Sequence, residues 1–253
     1  MQVMKNFVKY FLQKLLGFQN YLFVFCLFKV KTLHKDKNEK DFLYFLQLIP
    51  AGGIVLDIGA NIGIMTVYLA QKVRDTTVYA FEPIPHNAKV LERVIAHYKL
   101  KSVHVYNYAL GNEDGQIQMV MPVISSVKMQ GLSHVVHSSI TENNEGERFN
   151  IDVKKLDNIQ EIAGSIKPLT AIKIDVENFE YFVLDGGKEL LKKHKPIIYC
   201  ELWDNENRNK CFELMKIFGY EIKILVNGQL LAFTNEVAKT HPTQNFFFIP
   251  NKA

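Results

Sequence analysis

Ile54-Val55-Leu56-Asp57-Ile58-Gly59-Ala60-Asn61-Ile62-Gly63 is the stretch whose reading decides the fold. An apolar run ends at an acid, turns through small residues and re-enters an apolar run over residues 64–70. The pattern predicts a strand, a tight turn and a helix, the opening unit of an open α/β sheet. Gly59 and Gly63 let backbone come close to a ligand, and the helix N-terminus behind them favours negative charge. Asn61 stands where many such loops carry a further glycine, and Asn tolerates the positive φ such a turn requires. The spacing Asp57-x-Gly59-x-Asn61-x-Gly63 differs from the G-x-G-x-x-G of dinucleotide sites.

With 253 residues the chain can bury a full core and fits one domain. Its 30 basic and 26 acidic residues are too evenly matched to imply nucleic-acid binding. Cys26, Cys200 and Cys211 show no metal spacing. Their odd number and apolar neighbours predict reduced, buried thiols and a cytoplasmic chain.

Residues 1–37 differ in composition from the rest. Lys5, Lys9 and Lys14 precede an apolar stretch over residues 21–28, and Lys29, Lys31, Lys35 and Lys37 follow it. No small-residue cleavage site follows the apolar run, and Gln19 and Asn20 break it short of a spanning length. Two readings stay open: a helical layer packed on the domain, or a basic amphipathic segment lying at the inner face of a membrane. On either reading this extension is expected to be dispensable for cofactor binding. The oligomeric state is not legible in the sequence.

From residue 38 onward helical and strand patterns alternate. Phe42, Leu43, Phe45, Leu46 and Ile49 recur at helical spacing, and Pro50 to Gly53 turn the chain into the first strand. Strands are predicted over 77–81, 103–107, 116–120, 149–153, 171–176, 196–201, 220–226, 230–233 and 245–249. Helices are predicted over 86–97, 179–193 and 206–218. Asn227-Gly228 reads as a hairpin turn. Residues 121–148 show no sustained period and are expected to form a lid or insertion. The fold class is α/β, doubly wound and mostly parallel, with helices on both faces and a C-terminal antiparallel hairpin.

Open α/β sheets bind ligands outside the carboxyl ends of their strands. Here the predicted strands end in polar residues one after another: Asp57, Glu82, Asn107, Asp175 with Glu177, and Glu201. Glu82 comes 19 residues after Gly63, where an acid can accept hydrogen bonds from ribose hydroxyls, and Pro83 fixes the turn behind it. In residues 171–177, Ile172, Ile174 and Val176 alternate with Lys173, Asp175 and Glu177. That alternation places three charges on one face of a central strand, where they need partners. Asp175 and Glu177 are the catalytic candidates: a carboxylate there can offset a positive charge, orient a hydroxyl or take its proton. His134 and His137 in the lid are more distant ones.

The motifs "LDIGANIG" (56–63), "AFEP" (80–83), "NYALGNEDG" (107–115), "KKLDNI" (154–159), "IKIDVENFE" (172–180) and "KPIIYCE" (195–201) together resemble the FkbM-type family of class I S-adenosylmethionine (SAM) methyltransferases. The resemblance covers most of residues 38–250. It implies a seven-stranded Rossmann-like domain that moves a methyl group from SAM, most often to a hydroxyl on a sugar, polysaccharide, lipid or secondary metabolite. Carried over by position, Asp57, Gly59, Ala60, Asn61 and Gly63 would hold the methionine end. Glu82 and Pro83 would meet the ribose, Asn107 to Ala109 the adenine, and Asp175 and Glu177 would flank the transfer site. Where the family carries Gly after the second acid this chain has Asn178, expected to add bulk at the rim. The alternatives are a nicotinamide-dependent oxidoreductase and a SAM-binding protein without transfer activity. A nucleic-acid methyltransferase lacks a basic patch and an Asn-Pro-Pro-aromatic motif.

Overall fold

The computed structural model describes residues 2–124, 127–136 and 145–251. In chain order its strands are β1 (Ile54–Ile58), β2 (Thr77–Phe81), β3 (Val103–Tyr106), β4 (Ala109–Gly111), β5 (Gly115–Ile124), β6 (Val127–Lys128), β7 (His134–Val135), β8 (Gly146–Lys155), β9 (Leu169–Ile174), β10 (Ile197–Glu201), β11 (Tyr220–Val226), β12 (Gln229–Ala232) and β13 (Asn245–Pro250). The helices are α1 (Gln2–Leu16), α2 (Phe18–Thr32), α3 (Lys40–Leu48), α4 (Ile64–Lys72), α5 (Pro85–Tyr98), α6 (Gln160–Ala163), α7 (Glu180–Gly186), α8 (Lys188–His194), α9 (Glu206–Ile217) and α10 (Asn235–Thr240).

The main sheet runs β12-β11-β13-β10-β9-β1-β2-β3. The five strands from β10 to the β3 edge are parallel, and β13 enters antiparallel to β10. The seven expected strands are all present. The outer arm of the predicted hairpin, β12, adds an eighth at the edge. Strand order reverses between β1 and β9, which fixes the ligand crevice at their carboxyl ends.

β1 is buried along its whole length, as a strand covered on both faces must be. Its even-numbered side chains, with Ile172 and Ile174, pack in a core roofed by α7, α8 and α9. Val55 and Ala171 face a second core that includes Leu22 and Cys26 of α2, Phe42 and Phe45 of α3, and Val67 of α4. α2 is therefore packed on the domain as part of its core. The Cys26 thiol donates to the Ile62 carbonyl at 3.2 Å, and the Tyr68 hydroxyl to the Val30 carbonyl at 2.8 Å. Cutting the chain at residue 37 would strip this layer from the core. All three cysteines are free and buried.

Two expected elements take a different form. The single helix expected over 179–193 is split into α7 and α8 at Gly186-Gly187. A Cβ on Gly186 would stand 1.9 Å from the Gly111 carbonyl oxygen, so the helix passes β4 at a distance only glycine allows. The region around the insertion is a second sheet, β4-β8-β5-β6, with β7 on the far edge of β5. Its ten-residue arms β5 and β8 pair antiparallel from Gly115↔Val153 to Pro122↔Gly146. Met119, Val135, Ile151 and Val153 pack with Ile84 and Phe179, which belong to the crevice.

Candidate active site

After Ile58 the chain turns through Gly59 (φ 77°), Asn61 (φ 51°) and Gly63 (φ 91°). Asn61 thus adopts the left-handed conformation expected of it. A Cβ on Gly59 would lie 1.8 Å from the Asp175 carbonyl oxygen, so the turn is wedged against the end of β9. Gly63 caps α4 and packs on Leu91, where a Cβ would meet the side chain at 2.5 Å. It serves helix packing and lines neither cleft described below.

The turn spends its own amides. Gly59 and Ala60 donate to the Phe81 carbonyl, Gly63 donates to that of Ala60, and the Asn61 amide donates to Glu82 Oε2 at 2.8 Å. These four donors, which the sequence left free for an anionic group, are engaged inside the protein.

Beneath the turn lies a buried charge cluster. The register sets Asp57 beside Lys173 across β1 and β9. Asp57 is wholly buried; its Oδ2 accepts from the Thr66 hydroxyl at 2.6 Å and its Oδ1 stands 3.5 Å from Lys173 Nζ. Lys173 Nζ donates to the Gly59 carbonyl at 2.9 Å and reaches Asp175 Oδ2 at 3.5 Å. Burial alone would pull the ammonium down, but the charges of Asp175, Asp57 and Glu201 carry its pKa above the ordinary value. Asp57 is a foundation for the turn and does not reach the cleft wall.

β9 ends at Ile174, so the alternation expected through Glu177 stops there. Residues 175–178 form a loop in which Glu177 (φ 53°) and Asn178 (φ 73°) are left-handed. Glu180, which the sequence reading passed over, holds this loop. Its buried Oε1 accepts from the amides of Val176 and Asn178, both at 3.2 Å. Asn178 turns outward: its Oδ1 accepts from Asn205 and its carbonyl from Asn207, each at 2.6 Å. The expected bulk at the rim is thereby absorbed by the start of α9, and Asn178 lines neither cleft.

Above the sheet ends lies a cleft of about 620 Å³. One wall is apolar: Ile84, Tyr108, Met119, Val135 and Phe179. Its polar lining is Asn61, Glu82, Asn87, Gln130, Ser133, Asp175 and Glu177, and no Lys or Arg is among the described lining residues. Glu82 Oε1 accepts from the Ile84 amide at 3.0 Å and Asn87 Nδ2 at 3.2 Å. Asn61 Oδ1 and Asn87 Oδ1 are buried acceptors without a hydrogen-bond partner. Burial pushes Glu82 up to about 7, against the pull of its three hydrogen bonds. Burial, then the charge of Asp175, pushes Glu177 up to about 8. Pro83 and Ala109 line the cleft; Asn107 does not. Its side chain is exposed and donates to Glu92 at 3.5 Å, leaving Tyr108 to fill the expected place.

A second cleft, of about 760 Å³, adjoins the first along Gly59, Asn61, Gln130, Gly131 and Asp175. Ala60, Ile62, Met65 and Lys173 complete the sheet side. Phe25, Lys29, Leu33 and Glu39 come from the N-terminal segment, whose part in the site left no sequence signal. The turn at residues 130–132 lies where the two clefts meet, the position expected of a lid. His134 is buried and its Nδ1 is 2.9 Å from the Leu132 carbonyl, and it lines neither cleft. His137 lies outside the described residues.

Because Glu82 ties the amides of Asn61 and Ile84, its loss affects more than a ligand. Glu82→Ala takes the acceptor from those two amides and from Asn87 Nδ2, and we expect it to lower unfolding free energy by about 1–3 kcal/mol without any ligand. Urea unfolding of the free protein measures this. An unchanged midpoint would show that the carboxylate does not hold the turn.

A family model described as Methyltransferase FkbM domain matches residues 57–228, more than half of the chain. "Methyltransferase 1" of Beauveria bassiana is 27% identical over 169 residues, covering 62% of this chain and 67% of its own. "Methyltransferase sdnD" of Sordaria araneosa is 24% identical, covering 72% and 79%. A solved structure, methyltransferase FkbM of Methylobacillus flagellatus, superposes with a TM-score of 0.51 at 17% identity over 78% of this chain. The chain spans 43% of that protein's length. The matched span runs from Asp57 through the buried charge cluster and both acidic loops to the hairpin turn, and the chain belongs to the FkbM methyltransferase family.

Proposed function

We propose that the protein is a SAM-dependent methyltransferase that acts on a hydroxyl of a sugar, polysaccharide, lipid or secondary metabolite. The observation that carries the reading is the make-up of the first cleft. It offers an apolar wall for a base, orphaned acceptors for hydroxyls or an ammonium, and three carboxylates, of which Asp175 is paired with Lys173 from beneath the turn. A cationic nucleoside fits that set. The pyrophosphate of a nicotinamide dinucleotide would meet acids and a turn whose amides are already spent.

When bound, SAM supplies a methyl group already activated by its sulfonium. Glu82 and Asn87 would take the ribose hydroxyls, and Tyr108, Met119, Val135 and Phe179 would enclose the base. The shared edge at Gly59 and Asp175 would place the reacting atoms between the clefts, with the acceptor entering the second. Asp175 or Glu177 would accept the proton of the acceptor hydroxyl. Alignment and exclusion of water account for most of the rate. The outward turn of Asn178 supports a transfer-competent site over one that only binds.

Calorimetry with SAM, S-adenosylhomocysteine and NAD tests the reading. SAM and S-adenosylhomocysteine are expected to bind, and binding of NAD alone would overturn it. The raised carboxyl pKa values add a finer expectation. Glu82 and Glu177 lose their protons near pH 7 and 8, and a cation favours their ionised forms. SAM affinity should therefore rise by roughly tenfold between pH 6.5 and 8.5, since one unit of pKa shift is a factor of ten. S-adenosylhomocysteine lacks the sulfonium and should change less. Equal pH dependence for both ligands would separate these acids from the sulfonium.

A further inference from the structure

We propose that α1 and α2 form a docking face for an anionic lipid bilayer. The first 35 residues hold six lysines and no acidic residue, whereas the remaining 218 hold 24 basic and 26 acidic ones. The basic excess of the chain is thus confined to its first 35 residues, with five of the six lysines on this helical pair. Exposed apolar side chains concentrate in the same place. Of the eleven large hydrophobic residues exposed among the described residues, six fall within residues 10–28.

They are ordered along each helix. Phe11 and Leu15 are 57% and 67% exposed, and Val24 and Phe28 are 54% and 61%. Each pair is four residues apart and so shares one helix flank. On α2 the opposite flank is occupied, since Leu22 and Cys26 lie in the core. Lys14, Lys31 and Lys35 are exposed beside the apolar residues. Lys29 instead pairs with Asp36 at 2.7 Å.

Helices with aromatic and aliphatic residues on one flank and lysines around them lie in the plane of a membrane surface, and anionic lipids draw the lysines in. No single helix among the described residues is long and apolar enough to cross a bilayer. Lys9–Leu16 and Phe18–Lys35 meet at a bend of 117°, at Gly17 with φ 74°. Two short segments at that angle can lie on a surface. A second copy of the chain is the poorer occupant, because it would bring six more lysines and no acid to the same face. Docking would bring the helix that walls the second cleft against the lipid, although the proposal stands without any methyl transfer.

Flotation of the full chain with phosphatidylcholine vesicles, with and without phosphatidylglycerol, tests it. Binding is expected to be roughly tenfold stronger with phosphatidylglycerol and to weaken as salt is raised. Phe11→Ser/Phe28→Ser and Lys14→Glu/Lys31→Glu alter only exposed side chains. Each should abolish flotation while leaving the thermal midpoint unchanged. Three results would overturn the proposal: no flotation with either vesicle, equal flotation that ignores both lysine charge and salt, or a parental dimer that Phe11→Ser/Phe28→Ser converts to monomer with no lipid binding by either form.

Discussion

Lys173→Met is expected to remove about 3–5 kcal/mol of unfolding free energy, the loss typical of breaking a buried ion pair by deleting one partner. The expectation rests on what the ammonium holds. Asp57 has no exposed surface, and its Oδ1 finds no partner beyond Lys173 at 3.5 Å. Met fills a similar volume, so the change is mainly one of charge. It strands a carboxylate in the core and releases the Gly59 carbonyl that the ammonium also binds. Urea unfolding measures the loss. Adding Asp57→Asn should restore part of it, because the stranded charge is then gone. A loss under about 1 kcal/mol in the single variant would show that Asp57 and Lys173 are not coupled as their positions imply.

The same cluster shows what was legible in the sequence. A buried strand ending at Asp57 and glycines at fixed spacing announce a strand-turn-helix, because few residue types satisfy that geometry. The strand ends could then be aligned, and Glu82, Asp175 and Glu177 do meet at one cleft. Local spacing cannot show which way a side chain leaves a loop. Asn107 therefore faces solvent where Tyr108 faces the cleft, and Asn178 bonds to Asn205 rather than crowding the rim. Glu180 escaped notice because an acid opening a helix reads as an ordinary helix start. Its role depends on two backbone amides that the left-handed residues 177 and 178 direct toward it.

Contributions from distant segments were the least legible. The second cleft takes Phe25, Lys29, Leu33 and Glu39 from before the first strand. Nothing in their spacing refers to Asp175, more than a hundred residues later. The second sheet was legible in part, since the strands expected over 116–120 and 149–153 lie within β5 and β8, but its full extent was hidden for another reason. Its arms β5 and β8 are ten residues each, but their pairing ends at Pro122 and Gly146, whose residue types favour loops. Tertiary pairing overrode that local preference.

Asp175→Asn is expected to lower turnover by roughly 10²–10⁴ with little change in stability. The structure makes this substitution a cleaner probe than the sequence allowed. On sequence alone, Asp175 could have been the sole partner of Lys173, and its loss would then have unfolded the protein. In the structure Lys173 keeps Asp57 and the Gly59 carbonyl after the change. Asp175 itself is one-third exposed at its side chain and stands where the two clefts meet. An amide of nearly the same shape preserves the loop and the wedge of Gly59 against the Asp175 backbone. What disappears is the negative charge at the edge shared by the two clefts. If that charge takes the acceptor's proton, turnover falls while SAM affinity stays within a few fold. If it instead holds the sulfonium, affinity and turnover fall together, and binding of S-adenosylhomocysteine is spared. Thermal unfolding, calorimetry with both ligands and a turnover assay on one purified variant separate these cases. A folded Asp175→Asn protein with parental turnover would remove the residue from the chemistry and leave Glu177, with its carboxyl raised to about 8, as the base. The rate should then climb with pH through that value, because only the ionised carboxylate can accept the proton.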